Sequence, residues 1–157
     1  MTKIFIRPAI NNDARSLHAL YQKTIRTVNC KDYNEIQIDG WAPLDMKTEV
    51  FERYIVSKQP LVATDGESIL GYSDLQPDGL IDHFYCHYQA QGQGVGRALM
   101  NAIHLKASEL GISKLYSFVS VTAKPFYLHF GFHVVRENEA NIRGVLLQNY
   151  LMEKELR

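Results

Sequence analysis

The order of elements between residues 80 and 121 most constrains the fold of this chain. Residues 80–87 alternate like a strand, a glycine-rich loop and a helical stripe follow, and residues 115–121 again have the pattern of a strand. The apolar members of the stripe, which stops at Gly111, are Ala98, Leu99, Ile103, Ala107 and Leu110. A strand, a helix and a second strand in this order imply a parallel crossover. The sequence therefore predicts a mixed sheet in which these two strands run parallel.

The strands before the crossover are predicted to be antiparallel. Asp65-Gly66 stands between the apolar runs 61–64 and 69–72, which is a strong hairpin signal, and Pro77-Asp78-Gly79 turns the chain into residues 80–87. The remaining predicted elements are a strand at 4–6, a helix from about 14 to 28, a helix over 50–55, a short helix at 122–131 and a strand pair turning near 143–144. The predicted fold class is α/β (α+β), with one mixed, largely antiparallel sheet and helices on both faces.

One stretch, residues 30–44, shows no single long element. It combines aromatic residues with aspartates, glycine and proline, and we expect an irregular segment that covers part of the molecule. The whole chain, 1–157, is expected to form one domain, because its length is that of one ordinary core. Its two cysteines, Cys30 and Cys86, are isolated in the sequence, so we expect two buried thiols and no disulfide.

Charge and hydropathy exclude several classes of protein. Lysine plus arginine equals aspartate plus glutamate at 17 each, so there is no global field to attract nucleic acid. No apolar stretch at the beginning of the chain has the length of a signal peptide or membrane span, which favours a cytoplasmic protein without a membrane partner. His83 and His87 do not predict a metal site, since a strand separates them by about 13 Å.

The glycine-rich loop, Gln91-Gly92-Gln93-Gly94-Val95-Gly96-Arg97, is the most informative motif. Glycines allow close approach of a ligand, and the free N–H groups at a helix start suit an anion such as pyrophosphate. The loop lacks the lysine of G-x-x-x-x-G-K-[ST], and its glycines fall at steps of two, unlike G-x-G-x-x-G. Taken alone, it could also be a purely steric turn before a helix.

Three segments together resemble the GNAT superfamily of N-acetyltransferases. Gln91-x-x-Gly94-x-Gly96 is similar to its Q/R-x-x-G-x-G/A acetyl-CoA signature, the strand that ends at His87 to its fourth strand, and Tyr127-x-x-x-Gly131-Phe132 to its late Y-x-x-x-G-F segment. The resemblance implies a splayed gap between the strands at 80–87 and 114–121 that holds acetyl-CoA. The residues it assigns to the coenzyme are Phe84, Tyr85, Cys86, Gln91, Gly92, Gln93, Gly94, Val95, Gly96, Arg97 and Ser120. Ser120 stands where many members carry asparagine, and a serine offers fewer donors to a pantetheine amide.

The same resemblance suggests the catalytic groups. Tyr127 lies where the family places the tyrosine that protonates the coenzyme A thiolate, although it could instead be a core aromatic. Strand parity places Asp82 on one face with Phe84 and His83 on the other. Asp82 is the expected base, with a water relay or a purely structural hydrogen bond as the alternatives. Tyr33, Asp39 and Trp41 are expected to form an acceptor wall that suits a cationic amine, unless Trp41 is only a lid on the first helix.

The implied activity is transfer of an acetyl group from acetyl-CoA to a primary amine of a small molecule or protein, by direct attack in a ternary complex and without a metal. Two alternatives stay open at this point. One is a coenzyme A sensor that binds the coenzyme without catalysis, and the other is transfer to a hydroxyl group or of a longer acyl chain. The acceptor is not predicted by the sequence, and homodimers are frequent among similar proteins.

Overall fold

The computed structural model describes residues 3–156. Short 3-10 turns lie at Asn11–Asp13, Asn29–Lys31 and Tyr88–Ala90. The helices are α1 (Ala14–Thr27), α2 (Glu35–Trp41), α3 (Glu49–Lys58), α4 (Val95–Glu109) and α5 (Lys124–His129). The strands are β1 (Phe5–Pro8), β2 (Leu61–Thr64), β3 (Ile69–Ser73), β4 (Phe84–Cys86), β5 (Lys114–Ser120), β6 (His133–Ile142) and β7 (Val145–Glu155).

The strands form two antiparallel sheets, ordered β1-β2-β3-β4 and β5-β7-β6. Between them the described residues make a single parallel bridge, from Leu80 to Tyr116. The predicted fold class is therefore confirmed: the pairing is mostly antiparallel, the crossover through α4 is parallel, and β4 and β5 splay apart beyond the bridge. The single mixed sheet that was expected is divided into two, because among the described residues one isolated bridge joins its halves. The parallel pairing is shorter than expected, since it consists of this one bridge and not of a ladder along residues 80–87.

The predicted strand at residues 80–87 is interrupted. Leu80 lies beside β5, while only Phe84–Cys86 pairs with β3. Between them, the N–H groups of Asp82 and His83 donate to the carboxylate of Asp74, at 3.0 and 2.9 Å, instead of to a neighbouring strand. A side chain thus takes the place of the backbone ladder at this point.

The stretch 30–44 is more regular than its composition suggests, because it contains α2. The Asn34 side chain accepts a hydrogen bond from the N–H of Gln37, and the Gln37 side chain accepts one from the N–H of Asn34, which is a capping box. This helix has seven residues and buries only Ile38 and Trp41, which is too few to give a visible stripe. Its predicted covering role is confirmed, since both side chains belong to the core beneath it.

The core lies on both faces of the two sheets. One cluster joins α1, α2 and α3 to β2 and β3, and another joins α4 and α5 to β5 and β7. Two smaller expectations were wrong: Cys30 is exposed, and Leu110 at the end of α4 is 57% exposed. Between residues 3 and 156, none of the helices has the length and apolarity needed to cross a membrane.

Candidate active site

A cavity of about 590 Å³ opens where β4 and β5 separate. Its walls come from both strands, from the loop before α4 and the first turn of that helix, and from α5, the end of α1 and Trp41. This volume lies in the range of ligand sites, which are usually few in a protein and partly apolar. The gap expected from the sequence is therefore a ligand-sized cavity.

The glycine loop forms one end of this cavity. Gly92 and Gly94 have φ angles of +75° and +87°, a conformation that glycine adopts without strain. The Gln91 side chain donates to the carbonyl of Cys86 at 2.9 Å, which ties the loop to β4. At Gly96 a Cβ atom would lie only 2.8 Å from the Phe126 ring, so glycine is required for α4 to approach α5.

The electrostatics of this end favour an anion. The first N–H groups of α4 have no partner inside the helix, and the helix dipole is positive here. Arg97 in the first turn lies 5.5 Å from the centre of the Phe130 ring and adds a full positive charge. Backbone donors, dipole and guanidinium together can bind a pyrophosphate group.

Tyr127 lies on α5 in the wall of the cavity and is 2% exposed. Its ring packs edge to face against Phe84 and Phe132, with centroids 5.9 and 4.9 Å away. Burial raises the pKa of the Tyr127 hydroxyl, and the neighbouring Ser117 side chain opposes the shift without cancelling it. Tyr127 therefore stays protonated at neutral pH, as a proton donor must.

Asp82 and His83 lie on opposite faces, as strand parity predicts. Asp82 is exposed and lines the cavity. The His83 ring instead stacks on Tyr54 at a centroid distance of 4.3 Å, and its Nδ1 atom lies 3.0 Å from the hydroxyl of Tyr72. Burial lowers the pKa of His83 despite the two nearby aspartates. Of the two side chains, Asp82 is the one that lines the cavity.

Cys86 also lines the cavity, and its chemistry matters for the route of transfer. Burial raises the pKa of this thiol to about 12. A thiol is nucleophilic only as the thiolate, which is scarce at neutral pH under these conditions. The burial of Cys86 therefore disfavours an acyl-carrier role for this thiol.

Of the residues that the sequence assigned to the coenzyme, most do line the cavity. Gln93 does not; its side chain is exposed and donates to the carbonyl of Gln89 at 3.3 Å. The cavity-lining members of the set are Phe84, Tyr85, Cys86, Gln91, Gly92, Gly94, Val95, Gly96, Arg97 and Ser120. Their contact with the coenzyme stays a prediction.

The expected acceptor wall is mostly not at the cavity. The Tyr33 hydroxyl donates to the carbonyl of Gln148 at 2.6 Å and accepts from the N–H of Val121 at 2.9 Å. Tyr33 therefore joins β7 to the residue that follows β5, and it is not part of the lining. Asp39 is exposed and pairs with Arg26 at 2.9 Å, also away from the lining. Trp41 is the one member of the three that reaches the cavity.

The structure adds lining residues that the sequence reasoning missed. Thr24 interrupts the apolar stripe of α1, and its hydroxyl donates to the carbonyl of Cys86 at 3.0 Å. Ser117 stands between the buried residues Leu115 and Val119 on β5. Thr24 and Ser117 could have been found in the sequence, because each is a polar residue at a position where the helical or strand repeat predicts a buried apolar one. Asn29 and Phe118, which also line the cavity, carry no such signal.

A family profile described as the acetyltransferase (GNAT) domain matches residues 29–156, which is most of the chain. This protein belongs to the GNAT acetyltransferases. The glycine loop and Tyr127 both lie within the matched region.

Individual relatives agree with this assignment. The uncharacterized N-acetyltransferase YafP of Escherichia coli (strain K12) is 26% identical over 152 residues, which cover 97% of this chain and 96% of YafP. A crystal structure of a GCN5-related N-acetyltransferase from Rhodopseudomonas palustris has a TM-score of 0.93 and 29% identity, covering 99% of this chain and 98% of the other. The PaiA N-acetyltransferase of Thermoplasma acidophilum, solved in complex with coenzyme A, has a TM-score of 0.78 and 18% identity, with 98% and 99% covered. At that identity the last likeness concerns the fold alone.

Metal ligands do not cluster in this part of the chain. Among residues 3–156, no three His, Cys, Asp or Glu side chains are grouped so that they could hold a metal ion.

Proposed function

We propose that this GNAT acetyltransferase moves an acetyl group from acetyl-CoA to a primary amine by direct attack in a ternary complex. The observation that carries the proposal is that one cavity joins the N-terminus of α4, the buried hydroxyl of Tyr127 and the carboxylate of Asp82. An anion site, a proton donor and a proton acceptor are what this transfer requires.

The coenzyme fits the loop end of the cavity. Ideal Cβ atoms at Gly92 and Gly94 would have no protein atom within 4 Å, so the space beside these residues is open to a ligand. The first N–H groups of α4 and Arg97 would bind the pyrophosphate. The pantetheine arm would then run between β4 and β5 toward Tyr127. The Thermoplasma acidophilum protein, which has a similar fold, was solved in complex with coenzyme A, and the proposal extends this ligand to the present chain.

Proton transfer by two side chains completes the reaction. An acceptor that binds as an ammonium ion first releases one proton to solvent. The neutral amine nitrogen then attacks the thioester carbon, the C–N bond forms and the C–S bond breaks. Tyr127, which its burial and raised pKa keep protonated, gives its phenolic proton to the departing sulfur. Asp82, or a water molecule bound to it, takes the proton lost by the nitrogen, and that proton returns to Tyr127 through solvent. The net change is one proton moved from nitrogen to sulfur.

The residues in the cavity favour this route over its alternatives. Because burial keeps Cys86 as a thiol, an acyl-cysteine route is disfavoured and direct attack is preferred. Asp82 is the carboxylate of the cavity lining. A carboxylate attracts and orients a cationic ammonium acceptor more strongly than it does a neutral alcohol. Trp41 and Tyr85 add aromatic surface that suits a cationic acceptor.

Release of free thiol from acetyl-CoA across panels of amines and alcohols tests the proposal. We expect release that depends on an amine, with a product heavier by one acetyl group in mass analysis. Binding of acetyl-CoA without thiol release for any acceptor would instead support a coenzyme A sensor. Faster release with alcohols, or with longer acyl thioesters, would contradict the amine or the acetyl part of the proposal.

A further inference from the structure

The chain changes its sheet partner at a fork, defined here as residues 79–84. Before the fork, the N–H of Tyr116 donates to the carbonyl of Gly79 at 3.0 Å, and the N–H of Ile81 donates to the carbonyl of Tyr116 at 2.9 Å. These two bonds are one step of a parallel ladder between this segment and β5. After the fork, Phe84 pairs with Ser73 of β3. The ladder to β5 has ended within three residues.

Side chains take the two bonds that would come next in the ladder. In parallel register, the carbonyl of Ile81 would accept from the N–H of Phe118, and the N–H of His83 would donate to the carbonyl of Phe118. Instead, the Ile81 carbonyl accepts from the hydroxyl of Ser117 at 2.8 Å. The His83 N–H donates to the Asp74 carboxylate at 2.9 Å. Both backbone groups of Phe118 on this side are left for another partner.

Asp74 is well suited to compete with a backbone ladder. Its side chain is fully buried, and its two oxygens accept four hydrogen bonds. Besides the two N–H groups at the fork, the Tyr54 hydroxyl donates at 2.5 Å and the Gln76 side chain at 2.9 Å. Hydrogen bonds to a carboxylate are roughly twice as strong as those to a neutral carbonyl. The fork is therefore held on the β3 side.

We propose that Asp74 is a positioning residue of the active site. By binding the N–H groups of Asp82 and His83, it keeps β4 apart from β5 and turns the Asp82 side chain into the cavity. The edge of β5 at Phe118 then stays open to the amides of the pantetheine arm. The inference rests on the proposed function, because it concerns the part of the cavity that would hold this arm.

Two ligands separate the effect on the gap from an effect on the whole site. Acetyl-CoA uses both the glycine loop and the gap, whereas ADP carries the pyrophosphate without the arm. Asp74→Asn keeps the shape of the side chain but places an NH₂ group against an N–H donor at the fork. We expect it to weaken acetyl-CoA binding by on the order of 10-fold, through loss of one or two amide contacts, and to leave ADP binding unchanged.

Tyr54→Phe is the matched control. It removes a different hydrogen bond from the same buried carboxylate and leaves the bonds to Asp82 and His83 in place. Both variants should lose thermal stability, but in calorimetric titration only Asp74→Asn should lose its preference for acetyl-CoA over ADP. Once an acceptor is known, Asp74→Asn should also lower kcat, because Asp82 is displaced.

Several outcomes would overturn the inference. They are wild-type acetyl-CoA affinity in Asp74→Asn, an equal loss of both ligands, or the same loss of preference in Tyr54→Phe. If Asp74→Asn does not fold, hydrogen exchange of the wild-type protein replaces it: the amides of Asp82 and His83 should be as protected as strand amides, and fast exchange at both would overturn the role of Asp74. A wild-type protein that binds no acetyl-CoA would contradict the proposed function itself, which is a separate result.

Discussion

The two ends of the cavity are built in different ways. The end proposed for the coenzyme comes largely from one continuous stretch, residues 84–97, and relies on backbone N–H groups, glycine conformations and a helix dipole. The end proposed for the acceptor collects Thr24, Trp41 and Asp82 from α1, α2 and the fork. The first end is a local property of the chain, and the second exists only after folding. Substitutions at the two ends should therefore change different measured quantities: acetyl-CoA affinity at one end and the KM of the acceptor at the other.

The largest effect is expected at Tyr127, where the two ends meet. Tyr127→Phe keeps the packing of the ring but removes the proton donor, so turnover should fall by roughly 10²–10⁴-fold while acetyl-CoA affinity is unchanged. Steady-state kinetics and titration measure the two quantities. Tyr116→Phe is the control, because the Tyr116 hydroxyl bonds Asp78 on the surface and lies outside the cavity lining. Unchanged turnover with chemistry rate-limiting would make Tyr127 a core residue.

Gly94→Val tests the coenzyme end, and the other end of the same helix provides its control. Gly94 and Gly111 both have positive φ, +87° and +70°, and an added Cβ would meet no protein atom within 4 Å at either. Valine should strain both sites by a similar 1–3 kcal/mol or so. Only Gly94→Val should weaken acetyl-CoA binding, by ~100-fold, because its side chain fills the space of the pyrophosphate. Wild-type acetyl-CoA affinity in Gly94→Val would show that the coenzyme does not bind at this loop.

Trp41→Phe tests the acceptor end with a smaller effect. The phenyl ring preserves the core packing in part, and we expect the KM of an identified amine to rise by about 10-fold, with acetyl-CoA affinity unchanged. Asp39→Asn alters the same helix at an exposed position that pairs with Arg26, so its KM should stay at the wild-type value. A rise in KM for Asp39→Asn would instead show that Asp39 contacts the acceptor, as its composition-based assignment to the acceptor wall predicted.

The smallest effect concerns His83 beneath the acceptor end. Burial lowers its pKa below the ordinary value of 6.5, so the unfolded chain binds this proton more readily than the folded one. The stabilising effect of burying His83 in its neutral form is complete above pH 6.5, the pKa of the unfolded chain. It is lost as the pH falls toward the lowered pKa of His83 in the folded protein. The melting temperature of the wild type should thus drop more between pH 7 and pH 5 than that of His83→Gln. The exposed His133→Gln should behave like the wild type. Parallel curves for His83→Gln and the wild type would refute this linkage.

Much of the architecture could be predicted from short patterns. The period of α4, the Asp65-Gly66 hairpin and the glycine loop each lie within one continuous window and were identified correctly. Strand parity also separated Asp82 from His83 even though the strand is broken there. The helix α2 was missed, because two buried residues in seven give no measurable period.

The candidate site was predicted unevenly for the same reason. Backbone-mediated binding depends on glycine spacing, which is visible in the sequence. Tyr33 looked like an acceptor contact by composition, yet its hydroxyl bonds the backbone of Gln148 and Val121. No local pattern distinguishes an aromatic residue that joins two strands from one that lines a cavity.

By itself the sequence determined the order of the elements other than α2, the parallel crossover and the position of the glycine-rich loop, since each follows from spacing between residues that are close in the chain. The tertiary structure alone decided where β4 leaves β5 and which side chains face the acceptor. These depend on hydrogen bonds that no periodic pattern predicts. Ser117 bonds Ile81 across 36 residues of chain, and Asp74 bonds Asp82 eight residues away, on the other side of the Pro77-Asp78-Gly79 turn. A buried carboxylate can replace a strand ladder only where folding places it within bonding distance, and that distance leaves no trace in a local pattern.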